Sequence, residues 1–402
     1  MDNTDRLALR HKRTAASPPF LRGGFRPFFL LGPCWAIGAL LIWIWSLAGG
    51  PVQIGQLDAL AWHRHEMLFG FIGAIVAGFI LTAIPNWTGK LPVAGMPLAA
   101  LVAWWMLGRA IHFIPSGTHW SVFALIDASF YFGLAAIAAR ETIKSGNRNL
   151  PAVILIALLG IANVLDLAGA AGVIDWSLGS RLGIGLMVMM ISIIGGRIVP
   201  SFTRNWLQKN GAKHPLPVQP ARFDMLVLIV TAIAMLLWVF AQPGQLVGVA
   251  LVLAALFQAL RLARWQGWRC ISDRLVLILH LGYLWIPIGL GLLGATELDA
   301  PIPTTSGLHA LTAGAMATMI LAVMTRSILR YTGRALHADM GTHLIYAAIL
   351  TADALRVFAG LGPVDTMALV QLSGALWIAA FGLFITLYGP NLVLPRVDGK
   401  PF

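Results

Sequence analysis

Histidines at the ends of long apolar segments are the residues of this sequence with the clearest chemical potential. The stretch from Trp62 to Lys90, WHRHEMLFGFIGAIVAGFILTAIPNWTGK, contains His63 and His65 and then stays apolar for long enough to cross a membrane. A neutral imidazole offers a strong ligand nitrogen to haem iron or copper. The stretch therefore predicts a metal or haem centre at the mouth of a buried helix.

His65 and His309 are the first pair of candidate ligands, because they occupy the same register at one end of two similar apolar segments. If the two helices face each other across a bundle, their imidazoles can approach a haem from opposite faces. The competing interpretation is a pair of interfacial histidines that are hydrogen-bonded to water or to backbone. Position alone leaves both interpretations open.

His63 and His280 are the second pair of candidates. His63 lies two residues before His65, hence about 200° away around a helix, so the two cannot easily bind one iron from the same side. A second metal, a haem propionate or no ligand at all are the alternatives for His63. His280 lies deeper, in LILHLGYLW, where a lone histidine is more often a hydrogen-bonded core residue than a ligand. Two further candidates, His112 and His119, flank the loop after the third apolar segment.

Arg109 and Arg356 lie near the ends of apolar segments on the face that disfavours basic residues, so each needs an anionic partner. Haem propionates would match the fork of a guanidinium. An internal pair is the alternative for Arg356, since Asp353 stands one helical turn away. Three more acids are candidates for proton handling or for orienting histidines, with a purely structural role as the alternative: Glu66, Asp127 and Asp166.

Composition places these residues in an all-α polytopic membrane protein. The sequence is 58% hydrophobic and 11% charged, whereas soluble domains carry roughly a quarter charged residues. Its two cysteines, Cys34 and Cys270, stand far apart, which excludes a disulfide framework, a thiolate zinc site and a c-type haem attachment motif. In a membrane protein the net charge of +12 bears on orientation in the bilayer rather than on nucleic acid as a partner.

Twelve membrane-spanning helices are predicted. Residues 1–27 form a basic cytoplasmic tail, 28–389 the membrane domain and 390–402 a cytoplasmic C-terminal tail. All but four of the 28 Lys and Arg residues then fall on the side of both termini, and the positive-inside bias makes that side cytoplasmic. The four exceptions are Arg64, Arg109, Arg181 and Arg356. The predicted spans cover residues 28–48, 64–85, 94–113, 119–140, 150–171, 178–199, 222–241, 244–264, 274–293, 307–327, 341–361 and 367–389.

A repeated frame links three of these spans. After His65 a glycine follows at five residues and Thr-Gly-Lys begins at 23, and after His309 a glycine and Thr-Gly-Arg stand at the same offsets. A third copy begins at Ser180, with Gly185 and Thr203 at matching offsets. Spans 2, 6 and 10 would then belong to three four-helix units. That plan resembles the catalytic subunits of haem-copper oxidases, as a topological analogy only.

Sequence blocks spread over nearly the whole chain resemble the NnrS family. The blocks are GFRPFFLLGP, HRHEMLFGF, GFILTAIPNWTGK, GGRIVPSFTRNWL, LHLGYLW, LHALTAGAMATMILAVMTR and LYGPNLVLPRVDGKPF. The resemblance implies a protein of the bacterial cytoplasmic membrane that carries haem and copper. It also implies a link to the nitric oxide response, in denitrifying bacteria and in resistance to nitrosative stress.

The resemblance also points to ligands and shows one departure. The family's HxHEM block falls on His63 and His65, and its later histidines fall on His280 and His309, which makes these four the predicted metal ligands. After MTR in span 10 the family pattern leads us to expect GHTGR, but this chain has LRYTGR, with Tyr331 at the histidine position. A metal site that depends on that histidine is in doubt. An outer haem site would be unaffected, because the segment should be cytoplasmic.

Two classes of function follow. The first is a membrane protein with b-type haem, and with copper as a further candidate cofactor, that binds or processes nitric oxide; its haem would be held by histidines near the periplasmic ends of helices 2 and 10. Turnover of nitric oxide by an oxidoreductase and simple binding by a sensor or scaffold both stay open, and no electron donor is indicated. The second is a multi-pass transporter or exporter of a small solute or metal complex. A transporter predicts paired charges near mid-membrane and two related halves.

Overall fold

The computed structural model describes residues 15–400 except 51–52, 90–91, 115–116, 147–148, 213–214, 218–220 and 363–364. Several basic residues of the predicted tail and of the Thr-Gly-Lys motif lie outside the described residues: Arg6, Arg10, Lys12, Arg13 and Lys90. Within the described part the regular secondary structure is helical apart from one short β-hairpin. In that hairpin Gln53–Ile54 (β1) pairs antiparallel with Leu57–Asp58 (β2).

Long helices occupy all twelve predicted span positions in the described part of the chain. They are α1 (Phe25–Leu47), α2 (Ala59–Thr88), α3 (Met96–Ile111), α4 (Trp120–Lys144), α5 (Leu150–Ala170), α6 (Leu178–Lys209), α7 (Arg222–Phe240), α8 (Gln245–Arg264), α9 (Arg274–Glu297), α10 (Thr304–Tyr331), α11 (Met340–Phe358) and α12 (Thr366–Val393). Ten of them are long and apolar enough to cross a membrane. The all-α fold is therefore confirmed, and its apolar helices are typical of a multi-pass membrane protein.

The count of twelve crossings stays a prediction because of two helices. Helix α3 is apolar but has only 16 residues, about 24 Å of helix against a hydrocarbon core of about 30 Å. Helix α11 has 19 residues and includes both Asp353 and Arg356. Helix α6 departs in the other direction, since it continues through Pro200 to Lys209, ten residues beyond its predicted end.

Helices α2 and α10 share a local irregularity. Each changes to a π-helical turn directly after its histidine, over Glu66–Phe71 in α2 and over Ala310–Ala317 in α10. A π-helical turn shifts the hydrogen-bond pattern by one residue and is often found at functional sites. Both candidate ligands His65 and His309 therefore stand at the start of such a turn.

The π-helical turn of α2 is tied to neighbouring helices by side chains. The hydroxyl of Tyr131 in α4 donates to the carbonyl of Phe69. The indole Nε1 of Trp105 in α3 donates to the carbonyl of Gly70 over 2.9 Å. These bonds satisfy carbonyls inside an apolar bundle, where an unsatisfied carbonyl would be costly.

The chain divides into two compact units. The first consists of Met1–Gly183, Ser327–Ala335 and Phe384–Phe402, and the second of Ile184–Arg326 and Leu336–Leu383. In the first unit α4 packs against α5, and α1 packs against α2. In the second unit α8 packs against both α7 and α9. The arrangement in three four-helix units stays a prediction.

The second unit contains a buried arginine whose partners are all internal. Arg261 of α8 donates to a carboxylate oxygen of Asp224 over 2.8 Å, to the carbonyl of Ser192 over 2.8 Å and to the hydroxyl of Tyr283 over 3.0 Å. Gly196 makes room for it, because a Cβ there would lie 2.0 Å from a guanidinium nitrogen. A buried arginine with these three internal partners holds the helices of the second unit together.

Candidate functional site

Charged side chains form a buried cluster where α2, α3, α4 and α5 meet in the first unit. His65 and Glu66 come from α2, Arg109 from the last turn of α3, Asp127 from α4 and Asp166 from α5. None of the five is more than 2% exposed. Ionised groups this deep in an apolar bundle must compensate one another, so their pairing determines what the cluster can do.

His65 lies between two carboxylates. Its Nε2 is 2.8 Å from Oδ2 of Asp127, and its Nδ1 is 3.0 Å from Oδ2 of Asp166. Two ionised carboxylates can both accept only if both ring nitrogens carry hydrogen, and such an imidazolium has no lone pair for a metal. His65 would have to release one carboxylate in order to ligate, so its ligation stays a prediction that the observed hydrogen bonds do not favour.

Arg109 has its anionic partners inside the chain. Its Nη1 is 2.9 Å from Oε2 of Glu66, and its Nη2 contacts Oδ1 of Asp127. The indole Nε1 of Trp35 donates to the same Glu66 oxygen over 2.7 Å. These partners remove the physical need for a haem propionate at Arg109, and they fix one oxygen of Glu66 while leaving the other unused.

Two glycines allow the cluster to pack directly against helix backbone. A Cβ on Gly70 would lie 2.3 Å from Oε2 of Glu66 and 2.5 Å from Nη1 of Arg109. A Cβ on Gly108 would lie 2.5 Å from Oδ1 of Asp127. Distances below 3.0 Å are essentially never found for real Cβ atoms, so the charged groups occupy the space that larger residues would fill.

Among the atoms in and beside the cluster that have no hydrogen-bond partner, two could bind a metal and lie close to each other. They are Oε1 of Glu66 and Nε2 of His112, which lie 3.9 Å apart, and the same His112 nitrogen is 3.5 Å from Oδ2 of Asp127. In the described part of the chain, His65, Glu66 and His112 form a group of potential metal ligands whose donor atoms all lie within 4.8 Å of one another. Imidazole and carboxylate donors suit copper, zinc or iron.

A small cavity lies beside His112. Its volume is ≈ 40 Å³, and its lining includes Gln56 and Leu57 of the β-hairpin together with Phe123. The ring of His112 stacks on Phe123 with an interplanar angle of 17°. A cavity of this size holds a water molecule or a diatomic gas. It is much smaller than the several hundred cubic ångströms that a bound molecule of haem size requires.

Comparison with known families supplies the context for this cluster. The family model described as NnrS protein matches residues 19–396, nearly the whole chain. The chain belongs to the NnrS family. No functionally curated protein matches it. The match confirms the resemblance drawn from the sequence blocks, and NnrS proteins are associated with the nitric oxide response.

His63 is separate from the cluster in this NnrS protein. Its ring stacks on Trp43, with centroids 4.7 Å apart and an interplanar angle of 12°. It is half-buried, whereas His65 is completely buried. The two histidines therefore have different surroundings, in keeping with their spacing on the helix. Metal ligation by His63 stays a prediction.

His280 is a hydrogen-bonded core residue of the second unit. Its Nε2 is 2.8 Å from Oγ1 of Thr203, and that hydroxyl donates to the carbonyl of Val199. The imidazole must therefore donate from Nε2. Backbone packs against the opposite side of the ring, because a Cβ on Gly267 would lie 2.5 Å from Nδ1. Ligation by His280 stays a prediction that this packing does not favour.

His309 and Arg356 lie in the second unit in less enclosed surroundings. Nδ1 of His309 is 2.8 Å from the carbonyl of Thr305, so Nδ1 carries the hydrogen and Nε2 is the nitrogen with the ligand lone pair. Asp353 accepts a hydrogen bond from the hydroxyl of Thr318 over 2.6 Å. Within the described residues Asp353 and Arg356 form no ion pair, so the internal pair considered from the sequence is absent.

His112 is the functional candidate that sequence reasoning underestimated. The sequence places it at the end of the third predicted span, beside a loop, and ranks it below His63, His65, His280 and His309. One signal was available: it lies three residues after Arg109, which places both on one face of a helix. Its importance depends on Glu66 and Asp127, which belong to other helices.

Proposed function

We propose that this NnrS protein resides in the bacterial cytoplasmic membrane, with both termini in the cytoplasm, and binds nitric oxide at a metal centre. In this way it protects the cell against nitrosative stress. Family membership supports the link to nitric oxide. The observation that carries the metal centre is the facing pair of buried donors without hydrogen-bond partners, Oε1 of Glu66 and Nε2 of His112.

A single metal ion fits the residues of the first unit, and copper is the ion that the family implies. His112 and Glu66 would hold it, with Asp127 close enough to contribute. Arg109 and Trp35 bind the other oxygen of Glu66, which orients the carboxylate in the way that outer partners usually orient metal ligands. The carboxylates of Glu66, Asp127 and Asp166 are balanced by Arg64, Arg109 and the protonated His65. The proposed ion therefore depends on the donor atoms of Glu66 and His112 and not on a net negative charge.

The surroundings of His65 do not favour a haem there. Both ring nitrogens have carboxylate partners, and the neighbouring cavity of ≈ 40 Å³ is too small for a macrocycle. We therefore place the b-type haem of this proposal at His309 in the second unit. The Thr305 carbonyl selects the tautomer with Nε2 as ligand. Arg356, without an acidic partner among the described residues, is available to a propionate.

The chain's own residues would prepare the metal centre for a small ligand. A bound copper ion would supply an open coordination position for nitric oxide. The cavity beside His112 admits an uncharged diatomic molecule while the surrounding apolar side chains exclude ions. His65 holds a proton between Asp127 and Asp166, next to the centre. These features support binding of nitric oxide and leave an oxidoreductase reaction as a further possibility.

Metal content of purified variants tests this proposal. We expect the wild-type protein to retain about one copper per chain after loading with Cu(II), and His112→Ala and Glu66→Gln to retain well under half of it, as ligand removal commonly lowers affinity by large factors. Haem absorbance should not change in either variant. His337→Ala, an exposed histidine, is the matched control. Full copper loading of His112→Ala would contradict the proposed centre.

A second candidate function is transport of a metal or metal complex. It is favoured by the division into two units, each with a buried arginine–carboxylate pair: Arg109 with Asp127, and Arg261 with Asp224. Against it, Arg109 and Arg261 both lie in the last turn of their helices, not at mid-membrane. Uptake of copper into proteoliposomes separates the two functions: accumulation that Asp224→Asn abolishes would favour transport.

A further inference from the structure

Three chain segments meet at one end of the first unit: the start of α1, the end of α10 and the residues that follow α12. Nη1 of Arg26 donates to the carbonyl of Leu392 over 2.9 Å and to that of Leu394 over 2.8 Å. Nη1 of Arg396 donates to the carbonyl of Tyr331 over 2.9 Å. The C-terminal segment is thereby fastened across the ends of two other helices.

Four arginines converge at this point and form what we call the arginine cluster. Arg22, Arg334 and Arg396 are the charged neighbours of Arg26. Among the described residues Asp398 is the acid that pairs with the cluster, through two bonds of 2.8 and 2.6 Å to Arg396. Those bonds hold the pKa of Asp398 below its ordinary range, so it is ionised at neutral pH. One carboxylate against four guanidiniums leaves an excess of three positive charges.

Backbone carbonyls satisfy some of these arginines without neutralising them. Arg22 donates from Nε to the carbonyl of Ser17 over 2.9 Å, and Arg26 donates to the end of α12. Carbonyl oxygens at the C-terminal ends of helices carry only partial negative charge. Arg334 differs from the others, since its Nη1 is buried and has no hydrogen-bond partner. A guanidinium nitrogen in that position is stabilised when an anion reaches it.

The surroundings of the cluster indicate the kind of anion. Guanidinium forks match phosphate oxygens in geometry and charge. Apolar side chains border the cluster on the C-terminal segment, with Leu394 52% exposed and Val397 60% exposed. Helices α1, α10 and α12 are all candidate membrane spans, so their ends lie near the headgroup layer. A site that combines guanidinium groups with exposed apolar side chains matches an amphipathic ligand with a phosphate group better than a fully water-soluble phosphate compound.

We propose that the arginine cluster binds the phosphate of an anionic phospholipid in the leaflet that faces the cytoplasm. Arg334 and Arg22 make the charge-assisted contacts, and Leu394 and Val397 contact the glycerol and the first methylene groups. Arg26 and Arg396 maintain the architecture of the site through the carbonyls they cap. This role is independent of the metal centre.

Lipid titration followed by native mass spectrometry tests the proposal on the full-length protein in dodecyl maltoside. Phosphatidylglycerol and phosphatidylcholine with identical acyl chains are the probes. We expect the wild-type protein to bind phosphatidylglycerol about tenfold more tightly than phosphatidylcholine. Arg334→Gln should remove most of that preference, and Arg334→Lys, which keeps the charge and loses the fork, should remove part of it. Arg140→Gln is the control, since Arg140 is 71% exposed and pairs with Glu141.

Three results would overturn the proposal. The first is equal binding of the two lipids by the wild-type protein. The second is an unchanged preference in Arg334→Gln, with Arg22→Gln as the second variant if the first does not fold. The third is binding of inorganic phosphate that depends on Arg334 without any preference between the lipids, because that result would identify a site for a soluble phosphate compound.

Discussion

The π-helical turns of α2 and α10 follow the same sequence frame but have opposite surroundings. In α2, both nitrogens of His65 contact carboxylates, and Gly70 faces the pair of Glu66 and Arg109. In α10, His309 is half-buried with a backbone partner. There a Cβ on Gly314 would lie 2.6 Å from the indole of Trp285. One frame therefore supports a closed polar centre in the first unit and a largely apolar contact in the second.

The helix that carries a histidine therefore does not determine which groups its imidazole contacts. The turn supplies a widened backbone and a glycine in both cases. The neighbouring helices supply the partners: Arg109, Asp127 and Asp166 for α2, and Trp285 for α10. In these two helices the shared frame accompanies a π-helical turn, whereas the partners of each histidine come from residues outside the shared positions.

The largest difference in the free energy of unfolding is expected between Arg109→Ala and Arg356→Ala. Removal of Arg109 leaves Glu66 and Asp127 buried without their cation, which should lower the free energy of unfolding by about 3–5 kcal/mol. Arg356 has no acidic partner among the described residues, so its loss should lower that free energy by less than about 1 kcal/mol. Denaturant unfolding in detergent measures both. Equal losses would mean that the second unit contains a compensating charge pair.

The next comparison is His65→Ala against His309→Ala. Without His65 two buried carboxylates face an empty space, and we expect a loss of about 2–4 kcal/mol in stability with haem content unchanged. His309→Ala should remove haem or alter its reduced-minus-oxidised spectrum while the polypeptide stays folded. Unchanged haem in a folded His309→Ala protein would end the assignment of His309 as ligand. Loss of haem in His65→Ala would instead support ligation of one haem by both His65 and His309.

Gly70→Ala and Gly314→Ala should be destabilised by similar, smaller amounts and should differ in copper content. Both substitutions place a Cβ closer than 3.0 Å to a neighbouring side chain, so each should destabilise by about 1–3 kcal/mol. Only Gly70→Ala displaces Glu66, and only that variant should lose copper. Elemental analysis of the two purified proteins, matched for thermal stability, gives the answer. Loss of copper in both variants would indicate a general folding defect.

The smallest effect is expected at Asp353. Its Oδ2 accepts a hydrogen bond from Thr318, its Oδ1 has no partner, and the side chain is completely buried. Asp353→Asn replaces a costly buried carboxyl by a neutral amide of the same shape, so stability should change by less than about 1 kcal/mol or rise slightly. A clear loss of stability, or a loss of haem, would show that the carboxylate has a bound cationic or metal partner.

Much of the architecture could be predicted from sequence because membrane spans depend on local composition. The predicted span 150–171 matches α5, Leu150–Ala170, almost residue for residue. The end of α6 was wrong because Pro200 and a polar segment are typical of a loop, yet the helix continues to Lys209. The sequence does not predict the π-helical turns, and the carbonyls of the α2 turn are bonded by Tyr131 and Trp105 of other helices, which sequence alone does not place there.

The candidate site was predictable as a set of residues but not as a set of contacts. The sequence indicates Glu66, Asp127 and Asp166 as possible supports for histidines. In the structure Asp127 and Asp166 contact His65, and Glu66 lies 3.9 Å from His112. The sequence does not specify which helices are neighbours, so it could not predict that Arg109 pairs with Glu66 of another helix. For the same reason His112 was placed among the lesser candidates.

The contact between Arg26 and the end of α12 has a consequence for how the protein is made. Arg26 is in the first turn of the first helix, and its carbonyl partners stand 366 and 368 residues later. Almost the whole chain must therefore be synthesised before Arg26 can form these hydrogen bonds. Until α12 is synthesised, the guanidinium of Arg26 lacks these carbonyl partners and must be solvated at the membrane surface by water or lipid phosphate. Assembly of the first unit should accordingly be post-translational, and premature termination before Phe384 should leave a product that proteases remove.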